Sequence, residues 1–337
     1  MKWGIFCLFE SFEKDSAKAI NSQLNLAKYA ESLGFDEVWF AEHHFNDFSV
    51  CPSPSLLLAA LAAKTEKIRL GAAGFLAPFY DPIRLSEEIA MLDILSDARL
   101  NLGFAKGAFA PDCKHFSAST ENLRPKLLES VHAIDLLLNS NGAVSFNGEF
   151  IKFGEVDIEP KKIQKRIPTF IATFSSSETI EFAAKNGFGL MLSQGISLNE
   201  CQQAASYYKQ IAGVEPEIVL LRTFYVADDK NDAINKARMA IDHFVKSMRA
   251  ASSFNKSPKF DKRRYEELIN ERNVFFDGDK FFENGIIGDV QTCINKCERI
   301  RDAIKNVHIA LKPLGTSEAE NMTLLDKFAK EIRIKFR

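Results

Sequence analysis

The chain has 337 residues, 46% of them hydrophobic and 26% charged, with a formal net charge of −2. That is enough apolar material for a large buried core. The near-neutral balance carries no electrostatic footprint for nucleic acid or an anionic membrane, and no apolar run approaches the ~18 residues of a membrane span.

The apolar run Lys2 to Phe9 predicts a first strand, and Ser16 to Leu33 a helix with Ile20, Leu24 and Ala27 on one face and Gly34 at its end. Val38, Trp39 and Phe40 centre a second strand, Glu37 to Ala41. Ser53 as N-cap and Pro54 at the first helical position open an Ala/Leu-rich helix to about Lys64. A third strand over Ile68 to Phe75 leads to a helix from Pro82 to Leu95. A fourth strand, Leu100 to Ala105, leads to a helix from Glu121 to Leu138. Val144 to Phe153, with Asn147-Gly148 between two β-prone runs, reads as an inserted hairpin. Strands at Thr169 to Phe174, Gly189 to Ser193 and Glu217 to Val226 then alternate with helices from Ser175-Ser176-Ser177 to Gly187, Leu198 to Ala212 and Asn231 to Ala250. Residues 252–288 break the rhythm: basic, Phe-rich and irregular, they read as an insertion or lid. A helix from Val290 to Arg301, a strand from Asn306 to Leu311 and a helix from Ser317 to Ile334 close the chain. Eight strands alternating with helices predict an α/β fold, a single (β/α)8 TIM barrel over residues 1–337. A doubly wound open sheet is the alternative, but no dinucleotide glycine fingerprint follows the first strand.

Of the six cysteines, Cys7, Cys51, Cys113, Cys201, Cys293 and Cys297, none forms C-x-x-C or a Cys/His zinc spacing. Free thiols, and Met1-Lys2 leading straight into a strand without a signal peptide, point to a reducing cytoplasm.

The second strand ends in Glu42-His43-His44, three ionisable side chains that are costly beside a core unless used or paired. In α/β folds ligands sit at the carboxyl ends of strands, so this tripeptide reads as the edge of an active site, with satisfied core histidines or a surface pair as the alternative. Adjacent strand residues point to opposite sides, so His43 and His44 do not readily share a metal ion, and no metal is expected. His43 itself titrates near pH ~6.5 if unperturbed, and so would hold and release a proton near neutrality. Gly71-Ala72-Ala73-Gly74 is nearly free of side chains, which suits either a flat ligand against the backbone or tight packing. Lys106 and the helix start at Ser175 to Thr179 suit a phosphate, or else a solvated lysine and an ordinary cap. The Phe-rich stretch Phe275 to Phe282 suggests an apolar substrate.

The sequence resembles the bacterial luciferase-like flavin monooxygenases, the luciferase subunits most of all. The resemblance rests on M-K-W-G-I-F, G-F-D-E-V-W-F-A-E-H-H-F-N-D-F, L-G-A-A-G-F-L-A-P-F-Y-D-P-I-R-L-S-E-E-I-A-M-L-D and D-A-R-L-N-L-G-F-A-K-G in the family's order. S-S-S-E-T-I-E-F-A-A-K-N-G and G-L-M-L-S match more loosely. It implies a (β/α)8 barrel, and reduced flavin mononucleotide (FMN) supplied by a separate, transiently bound flavin reductase. Dioxygen then gives a flavin hydroperoxide that oxygenates a small apolar substrate, an aldehyde or another organic molecule. The family's active-site histidine falls on His43, its flavin-backing cis peptide on Ala73-Gly74, and its phosphate ligands on Lys106, Ser176 and Thr179. Ala41, Ala105 and Ser175 fall around the cofactor, and His44, Asp112 and Gln194 at or beside the substrate. Three positions depart from luciferases: their reactive cysteine is Ala105 here, their phosphate-binding arginine is Lys106, and a glutamate is Ser175. Light emission is not implied. The resemblance also implies a homodimer or a luciferase-like heterodimer, with Leu56 to Ala63 and the following helix at the contact. A deazaflavin-dependent dehydrogenase and a non-catalytic flavin-binding or partner subunit are the rival readings.

Overall fold

Parallel strands buried on both faces need a crossover helix between each pair, and the alternation of the sequence supplies them. The computed structural model describes residues 1–107, 109–252 and 277–336. β1 (Lys2–Cys7) leads to α1 (Ser16–Ser32), where the Asp15 carboxylate accepts from Lys18 N–H at 2.9 Å and caps the first turn. β2 (Glu37–Phe40) precedes α2 (Pro54–Ala62), opened by Ser53 and Pro54. β3 (Arg69–Ala72) precedes α3 (Pro82–Leu95), and β4 (Leu100–Phe104) runs to a short α4 (Ala110–His115) and then α5 (Leu123–Asn139). The hairpin is β5 (Val144–Asn147) with β6 (Lys152–Val156). β7 (Thr169–Thr173), α6 (Ser177–Asn186), β8 (Gly189–Leu192) and α7 (Leu198–Ala212) continue the alternation. Then come β9 (Glu217–Val226), α8 (Lys230–Ser252), α9 (Gly278–Asn284), β10 (Ile286–Gly288), α10 (Val290–Ala303), β11 (Asn306–Pro313) and α11 (Glu318–Lys327).

β1, β2, β3, β4, β7, β8, β9 and β11 pair in that order, all parallel, and β11 pairs back onto β1. The ring is therefore a closed eight-stranded barrel, as the alternation predicts. β10 adds to the far end of β9, Ile286 opposite Phe224. The hairpin stands outside the barrel, held where the Glu129 carboxylate accepts from the backbone N–H groups of Glu149, Phe150 and Ile151. Among the described residues no helix is long and apolar enough to cross a membrane.

The differences from the sequence reading lie at ends and in short elements. β1 stops at Cys7 because Phe9 takes a positive φ of 59°. β3 stops at Ala72, just before a cis peptide between Ala73 and Gly74. α11 gives way to a π turn over Phe328–Ile332 and a 3-10 turn over Arg333–Phe336, in place of one helix to Ile334. Three elements, α4, α9 and β10, carry too few residues to show a period. Of the expected insertion, residues 253–276 lie outside the described residues. Residues 278–288 hold α9 and β10, with Phe281 fully buried.

The floor of the barrel is polar and paired. Glu37 is fully buried, and its carboxylate accepts from Trp39 Nε1–H at 3.1 Å, His308 Nδ1–H at 3.1 Å and Asn101 Nδ2–H at 3.3 Å. Arg69 Nε–H donates in turn to Asn101 Oδ1 at 2.8 Å. Above this network the Trp39 indole lies across Gly71, where a Cβ would come within 2.3 Å of Trp39 Cε3. The smallness of Gly71 thus serves packing, the second of the two readings of that stretch. Gly71→Ala should destabilise the fold by about 1–3 kcal/mol, the scale of overpacking a core. A lowered urea midpoint at unchanged slope would register it, and an unchanged midpoint would contradict the packing account.

Candidate active site

All eight barrel strands point the same way, so their carboxyl ends share one face, where barrel enzymes build their sites. A cavity of about 420 Å³ opens on that face, within the size range of cofactor pockets. Of the residues singled out from sequence, Ala41, His43, Ala73, Gly74, Ala105, Lys106, Asp112, Ser175, Ser176, Thr179 and Gln194 line it. His44 does not. Its Nε2–H donates to Glu42 Oε1 at 2.8 Å, and its ring packs edge-on to Phe116 at 4.8 Å. The two histidines therefore take opposite sides of the strand end, as strand geometry requires. Among the described residues no three His, Cys, Asp or Glu side chains converge as a metal site would need.

Glu42 is buried at the wall. It accepts from Leu76 N–H at 3.1 Å and is hydrogen-bonded by Tyr80 as well as His44. Burial pushes its carboxyl up, and those hydrogen bonds offset only part of that rise.

His43 is clamped. Ser49 Oγ–H donates to Leu8 O at 2.5 Å, so toward His43 the same oxygen acts as acceptor, and His43 Nδ1 at 2.7 Å carries the hydrogen. The backbone is pinned too, His43 N–H donating to Cys51 O at 3.0 Å. The Phe109 ring stacks on the imidazole at 5.4 Å and 19°. In the neutral ring Nε2 then keeps a lone pair, with no partner among the described residues, and the ring lines the cavity. Burial lowers the His43 pKa to about 4, with the neighbouring His44 adding to the effect. The expected titration near neutrality is thus corrected: at pH 7 this imidazole is neutral and accepts at Nε2.

The β4 and β7 ends form a cationic corner. Ser176 caps α6, its Oγ accepting from Thr179 N–H at 3.4 Å and Thr179 Oγ1–H at 3.2 Å. Lys106 comes from the segment after β4. Arg124, in the first turn of α5, lines the same cavity and makes no hydrogen bond or ion pair among the described residues. The sequence reading missed Arg124, because on an amphipathic helix it looks like any surface arginine. It provides the planar guanidinium that the lysine at 106 does not.

Six buried side-chain polar atoms among the described residues lack a protein partner, and three of them, Asp112 Oδ1, Thr173 Oγ1 and Gln194 Oε1, belong to cavity-lining residues. Buried polar atoms are nearly always satisfied, so this clustering points to a ligand. Thr173 also escaped the sequence reading; its position as the last residue of β7 was the available signal. The remaining wall is apolar, with Leu76, Leu127, Met191, Leu221, Phe244 and Met248 prominent. Of the Phe-rich stretch, Phe281 supports Phe244 from behind at 5.6 Å, and Phe275 and Phe276 lie outside the described residues. Ala105 faces the cavity, no thiol lines it, and all six cysteines are buried elsewhere.

The comparisons with known proteins agree with this architecture. A family described as luciferase-like monooxygenase matches residues 1–305. The oxygenase component of a flavin-dependent trigonelline monooxygenase from Acinetobacter baylyi is 29% identical over 310 residues, covering 86% of this chain and 84% of that one. The alkanal monooxygenase alpha chain of the Kryptophanaron alfredi symbiont is 28% identical, covering 98% and 97%. Among solved structures, a monooxygenase from Streptomyces bottropensis superposes with a TM-score of 0.85 at 25% identity, covering 100% of both chains. The chain belongs to the luciferase-like monooxygenase family.

Proposed function

We propose that the chain is the oxygenase component of a two-component system, taking reduced FMN from a separate reductase and using dioxygen to oxygenate a small apolar substrate such as an aldehyde. One observation carries the reading: Lys106, an Arg124 unpaired among the described residues and the head of α6 line one largely apolar cavity that also holds three unsatisfied polar atoms. A phosphate fits the first, and a flat, mostly apolar ring with a few polar edges fits the second.

Bound reduced flavin supplies the electrons that activate dioxygen. The chain does the rest. Lys106, Arg124, Ser176 and Thr179 hold the phosphate. Ala73 and Gly74 present bare backbone to the ring. Apolar walls from Leu127 to Met248 exclude water, so that oxygen chemistry is not diverted to the solvent. His43 offers Nε2 as a fixed acceptor, oriented by Ser49 and Phe109, and accepts a proton or hydrogen bond from what the cavity holds.

Partner contacts follow from what α2 and α3 leave uncovered. Leu56 is 73% exposed, Leu95 56% and Met91 51%, an apolar surface of the kind that subunits bury. We assign it to a dimer contact.

Three measurements test the reading. FMN should bind more tightly than riboflavin or the deazaflavin cofactor, and Lys106→Ala or Arg124→Ala should weaken FMN by about 1.5–3 kcal/mol while sparing riboflavin. Equal affinity for FMN and riboflavin would sink the phosphate assignment, and tighter deazaflavin binding would favour a dehydrogenase. His43→Ala should keep FMN affinity yet slow oxygenation about 10²–10⁴-fold, read as product per flavin with hydrogen peroxide followed alongside. Wild-type rates in that variant would make His43 structural. Light scattering at micromolar concentration should give a dimer mass that Leu56→Arg with Leu95→Arg reduces to a monomer; a monomeric parent protein would end the idea.

A further inference from the structure

We propose that Asp112 is the proton donor of the cavity, working opposite His43 as acceptor. The inference rests on the oxygenase reading above. Asp112 is 1% exposed and lines the cavity, and among the described residues its carboxyl has no hydrogen-bond partner, Oδ1 being fully buried. A buried carboxylate is normally paired, or hydrogen-bonded several times over. A carboxyl left bare in a cavity wall is most stable as the neutral acid, which has a hydrogen to donate to a ligand.

The surroundings favour that form. Burial raises the Asp112 pKa to about 6; the charge of Glu42 raises it too, while that of His44 works the other way. Tyr80 stands behind Glu42, and Lys114 and His115 on the helix of Asp112 itself are exposed. Lys106 and Arg124 share the cavity and favour the carboxylate, until a bound phosphate neutralises them. A ligand that fills the cavity removes its remaining water and raises Asp112 further. His43 is shifted the opposite way, to about 4. The usual order is thereby inverted: the carboxyl holds a proton over a range in which the imidazole has none. Two groups driven apart like this divide the labour of acid and base.

The chemistry needs such a donor because His43, fixed as the Nδ1–H tautomer, presents only a lone pair. When dioxygen is cleaved with electrons from reduced flavin, one oxygen atom joins the substrate and the other leaves as water. Asp112 gives one of the two hydrogens of that water, the other coming with the reduced flavin; it becomes a carboxylate and takes a proton back from solvent before the next turnover.

The test uses the full chain and the near-isosteric Asp112→Asn. In ligand-free protein, infrared difference spectra between about pH 5 and pH 8 should show a protonated-carboxyl band titrating near 6 that the variant lacks. With FMN and substrate, oxygenation should decline on the alkaline side of that titration. Asp112→Asn should lose about 10²-fold in product per flavin, together with the alkaline limb, at near parental FMN affinity. A variant with the parental yield and the parental alkaline limb would overturn the proposal, as would a missing carboxyl band. Failure of the parent protein to bind FMN would instead remove the oxygenase reading, and the infrared band would still decide whether Asp112 is protonated.

Discussion

The Glu37 carboxylate is the constraint on which the barrel depends. It sits in the floor, out of reach of water, where an ion with no partner would be prohibitive. Burial works to raise its pKa, but hydrogen bonding and charge from His308, with Lys2 and Trp39, outweigh it and hold the group below the usual carboxylate range. Those contacts tie β2 to β11, and through Asn101 and Arg69 to β4 and β3. Removing one member of such a buried set costs about 3–5 kcal/mol, a large part of a typical domain's stability. Strand registry is thus enforced from below.

With the floor fixed, the mouth is free to be chemically incomplete. The polar groups around Glu37 find one another; Asp112, Thr173 and Gln194 at the opposite end do not. Proteins tolerate such unsatisfied groups where a ligand completes them. His43 shows the same economy on a smaller scale, one nitrogen spent on Ser49 and the other left to the cavity.

Much of this was legible from the chain, for identifiable reasons. Eight β-prone runs separated by helical ones have few solutions other than a barrel, and Glu42-His43-His44 stands out because charge follows an apolar run without a break. The charge state and tautomer of His43 were hidden, because the first depends on burial in the folded chain and the second on Ser49 six positions on and Leu8 far back in the chain. Arg124 was hidden because nothing local separates a cavity-facing arginine from a solvated one. Gly71 was ambiguous for a similar reason: a small residue signals close approach without saying what approaches, and here it is Trp39.

The placement of the thiols bears on durability. Enzymes that reduce oxygen without always transferring it generate hydrogen peroxide at their own centre, and thiolates are its first casualties. This chain has Ala105 on the cavity wall and keeps its six cysteines in the interior, where burial drives the thiols of Cys7, Cys51 and Cys297 away from the reactive anion. Peroxide formed in such a chamber would meet no sulfhydryl on its wall.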